Sequence, residues 1–439
     1  MAEKKPRIED RIFDLDECMP RDRLTELQID RLNRAIERAR HVPFYADRLK
    51  NVGEIKSLDD VKRLPFTTKQ DLRDGYPLDF MAIRRDEIAR IHGSSGTTGQ
   101  MTFVPYSRRD MDNWGNLCAR FLSSGGLKPK MLVQVSFGYG LFTGGFGLHY
   151  GIERIGAAVI PAAAGNSERQ LAILRDIQPD ALVCTPGYAL NLAEILQAEG
   201  ITLPHLKVGF FGAEPWTDEM RARIEDELGL FATDNYGLSE VIGPGVSGEC
   251  PWRHGMHINE DHFLVECLDP ETLEPVKPGE KGEIVLTTLT KEGMPVIRYR
   301  TRDISNLNPE PCPCGRTGVR MGRVTGRSDD MLVIRGVNVY PTQIEEALLR
   351  IREAAPHYEI EVTRPGALDV ATVRVEMLPG MFSASMKEMV ALRDRIVQAI
   401  SSITGIRMEV ELVAPQTLQR FLGKARRVTD RRAKDEDKQ

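Results

Sequence analysis

No stretch of the 439-residue chain comes close to the roughly 18 uncharged apolar residues that a membrane helix requires, so a spanning segment is not expected. The opening Met-Ala-Glu-Lys-Lys-Pro-Arg runs into acidic sequence and lacks the apolar core of a signal peptide, which makes a cytoplasmic protein the expectation. Cysteine is scarce: seven, an odd number scattered over the chain, which excludes a disulfide framework. Positive charge is not in excess either, with 59 Lys and Arg against 64 Asp and Glu. The net −5 gives no reason to expect a nucleic acid or an anionic membrane as partner. Internal repeats, low-complexity blocks and a Walker A loop are also missing. What remains is an ordinary globular composition, 41% hydrophobic and 28% charged, on a chain long enough for two or three domains.

The first ninety residues read as helical and charged, with Leu24, Leu27, Ile29, Leu32 and Ile36 near helical spacing. From Met131 short apolar strands (131–136, 157–161, 181–185, 207–211) alternate with helical patterns (168–177, 188–198). That alternation predicts an α/β fold with a largely parallel, covered sheet. Strands and turns dominate from Phe263 (263–268, 282–288, 331–334). A smaller α+β unit follows, with helices over 342–351 and 385–403 and strands near 359–362, 370–376 and 407–412. The charged end, 431–439, reads as a solvated tail.

Three constellations carry chemistry. Gly93-Ser94-Ser95-Gly96-Thr97-Thr98-Gly99 joins three glycines, which let backbone N–H groups converge on an anion, to four hydroxyls at phosphate spacing. An arbitrary Gly/Ser run would be a linker, but here glycines and hydroxyls are ordered and a β/α region follows. Phe137-Gly138-Tyr139-Gly140-Leu141-Phe142-Thr143-Gly144-Gly145-Phe146-Gly147 mixes aromatics with residues that have no side chain. It can form a flat slot for an apolar aryl group walled by Tyr139 and Phe142, with Gly144 close to the ligand, or it can be close helix packing. Cys250, His257, Cys312 and Cys314 offer the four ligands that tetrahedral zinc takes, with His254 and His262 as rival ligands. The alternative is a set of reduced cysteines in loops; bound metal in a closed four-ligand site would be structural Zn²⁺.

Beyond Gly93–Gly99, four further segments follow in order. Phe211-Gly212-Ala213-Glu214-Pro215 is followed by Asp234-Asn235-Tyr236-Gly237-Leu238-Ser239-Glu240 and Tyr299-Arg300-Thr301-Arg302-Asp303. Gly326-Arg327-Ser328-Asp329-Asp330 and Gly423-Lys424-Ala425 complete the series. Together they resemble the signatures of the adenylate-forming enzymes, the superfamily of acyl-CoA synthetases, peptide-synthetase adenylation domains and luciferases. Arg302 departs from that pattern, standing where the motif has glycine, and Gln100-Met101 stand where a larger or basic polar residue is common. The chain is more closely similar to phenylacetate–CoA ligases, through Leu64–Lys69, Tyr139–Gly145, Gly212–Thr217 and Arg335–Glu345.

The resemblance implies a large N-terminal α/β domain over 1–328, binding ATP and the acid, and a small mobile α+β lid over 329–439. It implies an acid–thiol ligase that makes an acyl-adenylate from an aryl acid such as phenylacetate and passes the acyl group to coenzyme A. It also implies a homodimer. Gly212, Ala213, Glu214 and Pro215 would line the adenine pocket; Tyr236 would lie against adenine, with Asp234 or Asn235 on its amino group and Gly237, Leu238 and Ser239 alongside. Asp303 would accept from both ribose hydroxyls, Arg327 would brace the ribose or α-phosphate, and Glu240 would hold Mg²⁺, a hard cation with few protein ligands. Lys69 would serve the outer phosphates, unless it is a plain surface lysine. Asp329 would be the hinge. Lys424, on its own one basic residue among Arg426, Arg427, Arg431 and Arg432, becomes the catalytic cation at the α-phosphorus. Rival readings are a ligase for benzoate or a small hydroxy acid, acyl transfer to a carrier-protein thiol, and a non-catalytic nucleotide- or adenylate-binding protein. The last is disfavoured because binding alone would not need Lys424.

Overall fold

The computed structural model describes residues 11–94, 101–335, 337–351, 353–364, 369–378, 381, 385–419 and 427–432. In chain order the first strands are β1 (Arg90–Ser94), β2 (Thr102–Tyr106), β3 (Leu132–Val135), β4 (Ala158–Ile160), β5 (Ala181–Cys184) and β6 (Val208–Gly212). Next come β7 (Phe231–Leu238), β8 (Gly243–Glu249), β9 (Met256–Ile258), β10 (Phe263–Leu268), β11 (Gly282–Thr288), β12 (Tyr299–Ser305), β13 (Leu307–Asn308) and β14 (Arg320–Met321). The early helices are α1 (Arg21–Ala39), α2 (Pro43–Ala46), α3 (Lys69–Asp74), α4 (Arg108–Ser124) and α5 (Gly144–Ile155). No helix among the described residues is long and apolar enough to cross a membrane.

The chain falls into two units, Met1–Ala213 with Ile224–Arg323, and Glu214–Arg223 with Val324–Gln439. The first is built on a nine-stranded sheet, ordered β13-β14-β9-β8-β7-β6-β5-β3-β4. β5 (Ala-Leu-Val-Cys) and β6 (Val-Gly-Phe-Phe-Gly) are buried at every position, as strands covered on both faces must be. The helix Pro186–Ala198 starts two residues earlier than its periodicity suggests, because Thr185 accepts from the Tyr188 N–H and Pro186 suits the first turn.

The expected parallel sheet holds from β4 to β7, and the strands beyond it are antiparallel. β8, Gly-Pro-Gly-Val-Ser-Gly-Glu, reads as a loop in sequence yet is buried along its whole length. Its small residues are needed for close approach of α4. A Cβ on Gly248 would lie 2.4 Å from the Phe121 side chain, and one on Gly245 would lie 3.1 Å from Leu117. Packing against a helix thus overrides a weak strand propensity. β10, β11 and β12 pair antiparallel, β11 lying between the other two, and present Asp303 on β12.

In the second unit, strands at Ala354–Thr363 and Val370–Met377 pair antiparallel. Glu409–Val413 and Val428–Asp430 flank them in parallel. Burial alternates along Ala354–Thr363, so one face is apolar. Leu392, Ile396 and Ile400 of the helix Met386–Thr404 join the buried cluster on that face, with Ile344 and Leu348 of the helix Pro341–Leu349. Each such side chain contributes about 1.5–3 kcal/mol by burial. Residues between the units' border and 328 pack within this unit: the Thr342 hydroxyl donates to the Thr325 carbonyl, and Gly326 lies under the Tyr340 ring.

Candidate active site

The strand order turns back at β3, with β4 on one side and β5 on the other. In open α/β sheets the crevice outside the carboxyl ends at such a reversal takes ligands. The candidate segments of the first unit leave the sheet at that edge: Phe137–Thr143 after β3, Ala213 after β6, and Ser239–Glu240 after β7.

Tyr236 donates its hydroxyl to Asp303 Oδ2 at 2.6 Å, joining β7 to β12, and the Asp303 N–H donates to Thr301 Oγ1 at 3.0 Å. Asn235 Nδ2 donates to the Phe211 carbonyl at 2.7 Å, so its amide nitrogen is engaged on β6. Gly212 has to be glycine there, because a Cβ would lie 2.4 Å from the Asn235 carbonyl oxygen. Ala213 then turns the chain with φ 71°, a conformation that costs an L-residue roughly 1 kcal/mol or more. The Asp234 carboxylate lies 3.9 Å from Arg323 Nε, a pairing across 89 residues of sequence that the motifs did not reveal.

Just past the end of β7, Lys69 Nζ lies 3.6 Å from Glu240 Oε1, and Ser239 Oγ lies 2.8 Å from Thr143 Oγ1. Lys69 is positioned because Thr67 exchanges backbone hydrogen bonds with β12, the Arg300 N–H donating to the Thr67 carbonyl at 2.9 Å, and because Thr68 caps α3. Ser94 Oγ is buried with no hydrogen-bond partner among the described residues. Ser95, Gly96, Thr97, Thr98 and Gly99 lie outside the described residues.

In the segment after β3, Tyr139 packs edge-on against Phe146 at 5.3 Å, with its hydroxyl 3.3 Å from His149 Nδ1. Burial raises the Tyr139 hydroxyl above its ordinary pKa, so it stays protonated. Phe142 is 38% exposed, and a Cβ on Gly144 would lie 2.7 Å from its ring. Close helix packing accounts for Gly147 and Gly151, where a Cβ would strike Trp114 and Cys118 of α4 at 2.3 and 2.6 Å. Of that glycine- and aromatic-rich segment, Tyr139, Phe142 and Gly144 are left outside this helix–helix contact.

Two groups here escaped the sequence reading. His92, directly before Gly93, faces the Leu141 carbonyl through Nδ1 at 3.0 Å, while the Gly93 N–H donates to the same oxygen at 2.8 Å. Burial pushes its pKa down to about 4, so a neutral imidazole ties β1 to the segment after β3. Its position beside the first glycine was the available signal. Lys291, 2% exposed, lies with Nζ 3.2 Å from the Tyr106 ring centre, and nothing in its surrounding sequence distinguishes it.

In the second unit Arg327 forms a two-pronged pair with Asp329 at 2.8 and 2.9 Å. Lys424 lies outside the described residues. Arg427 pairs with the buried Glu345 at 2.6 Å, and the following Val428–Asp430 is a sheet strand; the expected solvated tail does not begin at 431, because Arg432 pairs with the buried Asp369 at 3.1 Å. Back in the first unit, Cys250, His257, Cys312 and Cys314 converge, their ligand atoms all within 4.8 Å of one another, without His254 or His262.

A family model described as "AMP-binding enzyme" matches residues 27–289, and one described as "AMP-binding enzyme C-terminal domain" matches 336–432. The phenylacetate-coenzyme A ligase of Thermus thermophilus is 46% identical over 437 residues, covering 95% of this chain and 98% of that protein. That of Escherichia coli is 46% identical over 423 residues, covering 94% and 95%. A solved 2-hydroxyisobutyryl-CoA ligase in complex with 2-HIB-AMP matches with a TM-score of 0.89 and 31% identity, covering 95% of this chain and 91% of that one.

Proposed function

The chain belongs to the AMP-binding enzymes, in the phenylacetate–coenzyme A ligase family, and from that membership we propose that it converts phenylacetate, ATP and coenzyme A to phenylacetyl-CoA, AMP and pyrophosphate. It is an AMP-forming acid–thiol ligase. In the first half-reaction the carboxylate oxygen forms a bond to the α-phosphorus as the bond to pyrophosphate breaks. In the second the CoA sulfur bonds to the acyl carbon, the proton leaves the thiol, and AMP departs as the C–O bond breaks.

The observation that supports this reading best is the meeting of Tyr236 with Asp303 and of Lys69 with Glu240 along one edge of the sheet. Tyr236 supplies a flat face for adenine, and Asp303 accepts from the ribose hydroxyls. Lys69 neutralises charge on the outer phosphates. The Glu240 carboxylate, 5% exposed and already beside a cation, suits Mg²⁺, which when bound neutralises charge between phosphates. Tyr139 and Phe142 wall the aryl group, leaving its carboxylate toward the nucleotide side. Lys424 neutralises the charge that develops at the α-phosphorus during attack. Asp329 serves as the hinge of the C-terminal domain, and Arg335–Asn338 flank the thiol. A cytoplasmic homodimer is proposed on family resemblance, and sedimentation equilibrium tests the dimer.

The test is AMP release from ATP over a panel of acids, each with and without CoA. CoA-dependent release greatest with phenylacetate supports the reading. Greater turnover with a small hydroxy acid or benzoate would keep the reaction and overturn the aryl slot. Folded protein that binds ATP and turns over no acid would favour adenylate binding without catalysis.

A further inference from the structure

Cys250 immediately follows β8 and is fully buried. His257, in the middle of β9, stands opposite Gly248 of β8 on one side and Arg320 of β14 on the other. Between β13 and β14 the chain makes the turn Cys312-Pro313-Cys314-Gly315, closed by the Gly315 N–H donating to the Cys312 carbonyl at 3.0 Å. Gly315 sits at φ 87°, where a side chain would be strained, so the turn can present two thiols to the same point.

The separations select among chemistries. Cys250 Sγ and Cys312 Sγ lie 3.7 Å apart, and Cys314 Sγ lies 3.3 Å from His257 Nε2. A disulfide requires about 2.05 Å between sulfurs. Two thiolates each about 2.3 Å from a tetrahedral zinc stand ~3.8 Å apart, and a thiolate and an imidazole nitrogen ~3.6 Å apart. The observed spacings are those of zinc ligands before a small adjustment. Three sulfurs and one imidazole exclude Mg²⁺ and Ca²⁺, which take oxygen, and a full set of four protein ligands leaves no open position for substrate. His262 is committed elsewhere, with Nδ1 2.7 Å from Thr290 Oγ1 and Nε2 3.2 Å from Asp261.

The residues that follow the turn hold a segment almost 300 positions away in sequence. Arg316, 4% exposed, donates through Nε to Glu17 Oε2 at 2.6 Å and through Nη2 to the Arg11 carbonyl at 2.7 Å. The Thr317 N–H donates to the Glu17 carbonyl at 3.1 Å, and its hydroxyl to the Met19 carbonyl at 2.6 Å. Glu17 Oε1 in turn accepts from the Phe13 and Asp14 N–H groups at 2.8 and 2.9 Å. The N-terminal segment is therefore wound around one carboxylate whose partner sits two residues beyond Cys314.

We propose that Cys250, His257, Cys312 and Cys314 bind one structural Zn²⁺ and that this ion fixes the turn through which Arg316 and Thr317 anchor the segment Arg11–Met19. The site stands apart from the ligase reading, since none of its ligands is assigned to nucleotide, acid or thiol. Zinc on Nε2 leaves the His257 proton on Nδ1, and binding releases the thiol protons to solvent.

The experiment uses the full chain. Metal content is measured on protein purified without added zinc, on protein stripped with a chelator, and on stripped protein given Zn²⁺ or Co²⁺. Hydrogen exchange of residues 11–19 is followed in each sample. The expected result is about one zinc per chain, visible absorption of tetrahedral thiolate-bound cobalt after exchange, and roughly tenfold faster exchange in 11–19 on stripping, reversed by zinc. Folded protein that carries no zinc and shows no cobalt–thiolate absorption would overturn the site. Stoichiometric metal with unchanged exchange in 11–19 would overturn the anchoring role. Cys312→Ser with Cys314→Ser should lose the metal; should that variant fail to fold, the stripped wild-type protein still decides both points.

Discussion

Replacing Lys291 with methionine should stabilise the protein at neutral pH, although it removes a charge that has a favourable neighbour. The ammonium is 2% exposed, has no hydrogen-bond partner among the described residues, and sits 3.2 Å from the Tyr106 ring centre. Burial pushes its pKa down to about 7, with Asp110 pulling weakly the other way. Against an unfolded value near 10.4, that depression amounts to roughly 4–5 kcal/mol at about 1.36 kcal/mol per pH unit. Cation–π attraction to Tyr106, up to about 2 kcal/mol, opposes this by favouring the charged form, so it makes the penalty smaller and the pH window over which stability changes correspondingly narrower. The folded pKa lies below the unfolded one, so between about pH 7 and pH 10 the unfolded chain binds more protons and stability rises with pH. Below pH 7 the penalty is constant, and above about pH 10.4 it vanishes. Methionine fills nearly the same volume without the charge. Lys291→Met should therefore melt several degrees above wild type at pH 7, with the advantage shrinking toward zero by about pH 10. Differential scanning calorimetry at three pH values measures both quantities. A variant that melts below wild type at pH 7, or whose advantage does not change with pH, would refute the reasoning. The ammonium would then be charged in the fold and stabilised by Tyr106, whose hydroxyl donates to the Ile242 carbonyl and so braces the turn after Glu240.

Tyr236→Phe removes a charge-assisted bond to a nearly buried carboxylate, a change of about 1.5–3 kcal/mol, and should raise KM for ATP roughly tenfold or more while leaving KM for the acid within twofold. Initial rates with each substrate varied in turn separate the two. Gly237→Ala would place a Cβ 1.9 Å from the Gly243 carbonyl oxygen and should cost about 3 kcal/mol or more, whereas Gly53→Ala, with nothing within 4 Å, should melt like wild type. Lys424→Ala should lower acyl-adenylate formation by about 10²–10³-fold with no change in melting temperature. Pyrophosphate release in the absence of CoA reads that step, and an unchanged rate would place the catalytic cation elsewhere.

Several features were readable from one dimension because they are local. The apolar runs of β5 and β6 could belong only to covered strands, and the periodicity of α1 to a helix with one buried face. The five ordered motifs were legible as a resemblance to the adenylate-forming signatures, and the family to which the chain belongs agrees with that resemblance. What tertiary structure decided was convergence. In sequence Lys69 can be either a phosphate ligand or a plain surface lysine, and only the pairing of Thr67 with β12 sets it beside Glu240. Arg323 and Asp234 meet although 89 residues separate them, and the Arg316 that holds Glu17 looks like any arginine following a turn. β8 was illegible for a different reason: its glycines and proline oppose a strand locally, and only the closeness of α4 explains why small residues are required. Propensity and periodicity act between near neighbours and are written in every window of the chain. Which distant side chains touch is set by strand order and crossover connections, and those exist only once the sheet has formed.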